Sequence, residues 1–407
     1  MKTNTLQLNL NKLFSAFVAL IPILQYYKSP LSSFNLATFL TVVFGFAFLL
    51  DAKVYLDKRL LPAILYIAYM SVHIIVFGGE ISGFLRIMVL VVSIVILGYR
   101  HFSFGYALHI IERVLTFSTL LMVLQFIGYH FLNTPISGTI PFLLSSEGSG
   151  YAIASSRPSG LYLEPAQYAQ TAIMYLSFRL FWDEKLSPKT QRNVILVIAG
   201  IVLSGSGQGY VLLGCFLCVC LFYNLTKRRI AVKTALKIIL VAIIVVTGAI
   251  VLWNTSSYIQ LVVSRFVGDD GAFGGIAYGG RSYTNKLFYE LGNREQMFGI
   301  GIGCSSQYVK GYYINSLYYY LIENGYTSLI VLGIMILYIF FKGNLAVKIY
   351  SVALTALFVF SGVGRPMMLC YYMLFMLFYD DKLKQCETAI NSKNNIKKME
   401  NTVYDQS

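Results

Sequence analysis

RPSGLYLEPAQYAQTAIMYL, residues 157–176, decides how this chain of 407 residues is read. It sets an Arg-Pro step and a Glu-Pro step in one short stretch, immediately before an apolar run. Pro165 suits the first turn of a helix, where its missing N–H costs nothing, so a helix is predicted to begin there with Glu164 at its cap. Pro158 biases Arg157 toward extended backbone, and Gly160 permits a bend between the two steps. A helix N-terminus is the positive end of a dipole and attracts anions. Arg157 and Glu164 therefore either pair with each other to anchor a loop, or act together on something held at the helix mouth.

Composition says what kind of helix this is. The chain is 57% hydrophobic and only 12% charged, with a mean hydropathy of +0.65. That lies far outside soluble composition and implies an all-α polytopic membrane protein. A crossing needs roughly 17–25 mostly apolar residues, and about twelve such runs are predicted by that criterion. They are 13–27, 34–50, 60–77, 83–99, 114–132, 165–182, 192–206, 208–224, 236–254, 314–341, 345–362 and 366–380. SGSGQG at 204–209 divides a stretch that is short for two crossings and reads equally as one broken hairpin. Residues 1–381 form a single integral membrane domain, and 382–407 are a polar, Asn- and Lys-rich tail expected to be disordered.

Positive charge near span ends is retained on the cytoplasmic side. With the N-terminus inside, 23 of the 32 Lys and Arg residues fall in inner segments. Both termini are then cytoplasmic, and the long loops 133–164 and 255–313 are outside. The net charge of +14 is thereby a consequence of topology. No basic soluble face interleaved with aromatics suggests nucleic acid. The outer basic residues are Lys28, Arg86, Arg157, Arg265, Arg281, Lys286, Arg294, Lys310 and Arg365. Because positive charge there opposes insertion, these residues are expected to have a partner or a task. No signal peptide, disulfide framework or metal-ligand spacing of His or Cys is evident, so no cofactor is expected.

In the second outer loop, SYTNKLFYEL at 282–291 has Thr284, Leu287, Phe288 and Leu291 at helical spacing and predicts a short amphipathic helix. Asp269 and Asp270 are adjacent acids between glycines, read as a solvated turn in preference to a cation site. GIGIG at 299–303 lacks the Lys-Ser/Thr of a nucleotide-binding loop and reads as an adaptable turn. Tyr318, Tyr319 and Tyr320 fit an interfacial belt or sugar-stacking rings.

The order of these features resembles the O-antigen polymerase and ligase superfamily. The features are Arg157 to Pro165 before a span, Gly280-Arg281 with the amphipathic helix and Gly-Ile-Gly, then Asn315 with Glu323 and Gly325. The resemblance implies a GT-C-type membrane glycosyltransferase in the bacterial inner (cytoplasmic) membrane. Such a protein moves growing glycan from undecaprenyl pyrophosphate to a new lipid-linked repeat unit on the outer face. It uses no nucleotide sugar and no obligatory metal. It implies further partners in membrane lipid, a chain-length regulator and a flippase. By matching motifs, Arg157, Arg281 and Arg365 become binders of the pyrophosphate-linked substrate; Arg86, an outer cation, and Asn315 are added as substrate-binding residues, and Glu164 is the candidate base. Ligases of the superfamily carry a histidine immediately before the asparagine; here that residue is Ile314. That departure favours polymerase, with a ligase or a lipid-linked glycan flippase as the alternatives.

Overall fold

The computed structural model describes residues 2–30, 34–50, 57–144, 157–181, 187–227, 286–309, 316–360 and 366–378. Among these the chain is helical almost throughout, and its only β pairings are isolated bridges. The first five helices are α1 (Lys2–Leu24), α2 (Leu36–Leu50), α3 (Leu61–Phe77), α4 (Ile81–Leu90) and α5 (Phe104–His130). Then come α6 (Pro165–Leu180), α7 (Pro188–Leu203) and α8 (Gly207–Lys227). Two short helices, α9 (Asn293–Phe298) and α10 (Ser305–Val309), precede α11 (Ser316–Lys342), α12 (Leu345–Phe360) and α13 (Pro366–Leu377).

Four helical segments among the described residues are long and apolar enough to cross a membrane: Lys58–Phe77, Ile81–His101, Phe104–His130 and Ser316–Lys342. Shorter apolar helices accompany them at Leu10–Leu24, Leu36–Leu50, Gly207–Cys220, Leu345–Val359 and Met368–Leu377. The run at 204–209 separates two helices, with the Ser206 N–H donating to Ser204 Oγ in the turn between α7 and α8. The expected span at 236–254 lies outside the described residues, as do Asp269, Asp270 and the tail.

Four helices depart from the expected outlines, and α1 does so by starting at Lys2, ahead of the apolar run expected from residue 13. α5 starts well before residue 114 and carries Glu112 inside the helix, where the carboxylate meets Arg179 Nη2 at 3.0 Å and accepts from Asn193 Nδ2 at 2.6 Å. Charge that reads as a span boundary is here paired within the bundle. α4 continues through a π-helical stretch, Val91–Leu97, into a 3-10 turn, Gly98–His101. α11 is broken at Gly325, whose φ of 68° is a left-handed value available chiefly to glycine. The break leaves the carbonyls of Ile322 and Glu323 to accept from the N–H groups of Ile300 (2.8 Å) and Gly301 (3.1 Å). The loop before α11 thus supplies the hydrogen bonds that an unbroken helix would have made internally.

The helix predicted to begin at Pro165 does begin there, and it is the centre of the bundle. α6 packs against α5, α7, α8 and α12. Every residue from Tyr168 to Phe178 is buried, including Gln170, Thr171 and Ser177. A helix buried on all sides needs no lipid-facing apolar stripe. Its polar side chains are supported locally: the Thr171 and Ser177 hydroxyls donate to the carbonyls of Gln167 (3.0 Å) and Ile173 (2.8 Å).

The loops segregate. The Lys28 N–H donates to Leu144 O at 2.8 Å, Gln167 Nε2 donates to the Tyr26 hydroxyl, and the Glu80 N–H donates to Ile302 O at 2.7 Å. The segments after α1, α3 and α5 and before α6 and α11 therefore share one end of the bundle. Glu112, Arg179 and Asn193 lie toward the other.

Candidate functional site

The stretch from Arg157 to Glu164 is held by one side chain from α5. Gln125 Oε1 accepts the N–H groups of Ser159 (3.1 Å) and Gly160 (2.9 Å), while its Nε2 donates to Gly160 O at 3.2 Å. Gly160 has φ +64°, and a Cβ there would stand 2.7 Å from Ser118 Cβ and 2.8 Å from Ser118 O. Both the bend and the close approach to α5 require glycine. Tyr162, buried, then turns inward with its ring edge-on to Tyr168 at 5.6 Å. Tyr168 in turn shares a hydrogen bond with Thr119 Oγ1 at 2.7 Å and donates to Val197 O at 3.3 Å, joining α5, α6 and α7.

This scaffold presents Arg157 and Glu164, both half-buried. Glu164 is the cap residue of α6 in extended conformation (φ −128°, ψ 144°), and its carbonyl accepts the Gln167 N–H at 3.0 Å. The carboxylate makes no hydrogen bond to the first turn of the helix. Burial pushes the Tyr162 phenol well above its ordinary value, with an opposing hydrogen bond to Thr171. The phenol stays neutral and is a donor rather than a base. Tyr371 and Tyr372 of α13 are fully buried, and neither hydroxyl has a hydrogen-bond partner among the described residues.

At the same end of the bundle a second polar constellation surrounds Glu323, 5% exposed. Its Oε1 accepts the Ser305 hydroxyl at 2.5 Å, and Tyr319 and the N–H groups of Gly303 and Ser305 also bond to the carboxylate. The backbone of 299–303 turns through three glycines of positive φ, Gly299, Gly301 and Gly303, and bridges Gly79 through Ile302. Cys304 is half-buried here, its thiol raised by burial first and then by the negative charge of Glu80 and Glu323. Phe288, Leu291, Val309, Leu321 and Ile322 form a small separate core under this loop. Phe288 and Leu291 are thus inward-facing residues of the amphipathic segment, of which 286–289 are helical and 282–285 fall outside the described residues.

Of the sequence-derived site residues, Arg157 and Glu164 share one clamped loop. Arg86 is exposed on α4, one turn beyond Gly83, whose Cβ position lies 3.3 Å from Gly303 Cα. Arg281, Asn315 and Arg365 lie outside the described residues. Sequence reasoning passed over Gln125, and took Glu323 only as part of a motif. A lone glutamine in an apolar run is a recognisable signal, since an uncompensated amide in a span is costly. No group of three His, Cys, Asp or Glu among the described residues is arranged to hold a metal ion.

A family model described as a family of unknown function (DUF8127) matches residues 184–293, from just before α7 to the start of α9. No curated protein matches the chain.

Proposed function

We propose that this chain is a glycan polymerase of the bacterial cytoplasmic membrane, crossing it about twelve times with both termini inside. In this reading it transfers a growing glycan from undecaprenyl pyrophosphate to a fresh lipid-linked repeat unit at the outer face. The acceptor hydroxyl oxygen attacks the anomeric carbon, the bond from that carbon to the pyrophosphate oxygen breaks, and undecaprenyl pyrophosphate departs. Glu164 accepts the hydroxyl proton. Arg157 and Arg281 offset charge on the leaving group, with Arg86, Asn315 and Arg365 binding substrate.

The observation that carries the reading is the clamp on the 157–164 loop. A guanidinium and a carboxylate stand on a backbone fixed to α5 through Gln125, at the N-terminal end of a helix buried from Tyr168 to Phe178. Fixed donors and acceptors aimed at developing charge are what transfer without a nucleotide sugar requires. The test is reconstitution of the purified protein with lipid-linked repeat units alone. Products that rise in steps of one repeat support polymerase. Single transfer onto a different lipid or protein acceptor points to a ligase. Translocation of lipid-linked glycan without extension points to a flippase, and either result removes the proposal.

A further inference from the structure

The turn Ile140–Leu143 breaks a local rule. Leu143 N donates to Ile140 O at 3.3 Å, Pro141 occupies the second position, and the third, Phe142, has φ 69°. This is the type II pattern, in which the third residue is ordinarily glycine or asparagine. A bulky side chain with positive φ is strained. Such strain persists where the side chain gains something, yet among the described residues nothing covers the Phe142 ring, which is fully exposed.

The surroundings say what covers it. Leu144 is 74% exposed, and Phe131, Leu132 and Phe34 are exposed beside the same loop system. The turn is tied to the end of α1: Ile140 N donates to the Tyr27 hydroxyl at 2.8 Å, and Leu144 O accepts from Lys28 N at 2.8 Å. The segment that carries it follows α5, itself long enough to cross a membrane. The turn therefore sits level with the end of α1, an apolar helix, and a helix end of that kind is where hydrocarbon would give way to headgroups. Lys28, exposed at the same level, is a cation suited to lipid phosphate.

We infer that the Pro141–Leu144 turn is a lipid-binding wedge, with Phe142 and Leu144 entering the acyl boundary of the adjacent leaflet and Lys28 meeting its phosphates. Hydrocarbon around the ring offsets the backbone strain. The inference does not depend on the glycan reading.

The test uses the full-length protein in bilayers, with Trp182→Phe and Trp253→Phe as background and Phe142→Trp as the probe. The expected result is blue-shifted emission, quenched by lipids brominated on the acyl chain and little affected by aqueous iodide. Quenching by iodide overturns the inference. So does blue-shifted emission that neither quencher reaches, because a protein partner then covers the turn. If the tryptophan variant does not accumulate, a benzophenone analogue of phenylalanine at 142 should crosslink to lipid, and crosslinking to protein alone overturns the idea. Phe142→Gly should be at least as heat-stable in detergent, since glycine suits this φ; a large fall in its midpoint would mean that the ring packs against protein.

Discussion

The side-chain amide of Gln125 grips Gly160 from both sides, accepting its N–H at 2.9 Å and donating to its carbonyl at 3.2 Å. A span residue thereby dictates the path of a loop that begins more than thirty residues later and carries both candidate catalytic side chains. Gln125→Leu removes three hydrogen bonds, counting the one from Ser159 N, and strands buried backbone groups at about 1–3 kcal/mol each. The loop is expected to detach rather than bear that cost. Proteolysis between 145 and 160 should speed up, and glycan extension should fall by more than tenfold while the helices persist by circular dichroism. Unchanged proteolysis and extension would show that the loop is held by something else.

Glu112, buried, and Arg179, half-buried, form an ion pair at the opposite end, with Asn193 bonding the same carboxylate. Breaking a fully buried pair by removing one partner commonly costs about 3–5 kcal/mol, and solvent at Arg179 lowers that here, whereas replacing both by apolar groups is often close to neutral. Glu112→Leu and Arg179→Met are each expected to lower the thermal midpoint in detergent. The double substitution should recover most of the loss. Additive losses in that double-mutant cycle would mean that the two charges are not coupled.

How legible these features were depends on the range of the interaction. The start of α6 was readable because Pro165 and Glu164 act on the turn they occupy. The break between α7 and α8 was readable because glycine and serine act locally too. The extension of α5 was not, since Glu112 is tolerated only by virtue of Arg179, which arrives from another helix. The break in α11 had a local signal in Asn324-Gly325, but the partners that complete the bend, the N–H groups of Ile300 and Gly301, come from a distant loop. Gln125 was missed for the same reason, because its partners are backbone atoms of a distant loop.

Cys304 supplies a pH-dependent readout of the Gly299–Gly303 loop. Burial and the charges of Glu80 and Glu323 raise its thiol, and the thiolate is the form that reacts. With the other cysteines replaced, maleimide labelling of Cys304 should be slower at neutral pH than for an unhindered thiol, and should rise at a more alkaline pH. Glu80→Gln removes one of the negative charges and should shift the labelling profile toward lower pH. A profile that matches a free thiol, or that ignores Glu80→Gln, contradicts this electrostatic account.

Extension should survive a chelator. The proposed chemistry draws its charge compensation from arginine rather than from a bound cation, and the adjacent acids Asp269 and Asp270 have a simpler reading as a turn. Loss of extension in EDTA, restored by Mg²⁺ or Mn²⁺ and abolished by Asp269→Ala, would give that pair a catalytic cation instead.

Arg157 and Glu164 are expected to fail in different ways, because they are assigned to opposite ends of one displacement. Losing an electrostatic stabiliser of a transition state commonly costs on the order of 10²–10³ in rate, far above the effect of an exposed ion pair. Arg157→Ala should lower extension by that order. Arg157→Lys should remain impaired, since lysine keeps the charge but loses the planar fork that meets two phosphate oxygens. Glu164→Gln keeps size and hydrogen bonding but cannot take a proton. Its rate should therefore fall because the attacking hydroxyl loses its proton acceptor. An anchoring ion pair predicts something else: both substitutions lower the amount of folded protein, and activity per folded molecule stays constant. Measuring glycan length and rate at equal folded abundance separates the two. Normal rates per folded molecule in Arg157→Ala and Glu164→Gln would reduce the pair to a structural anchor and remove the catalytic assignment.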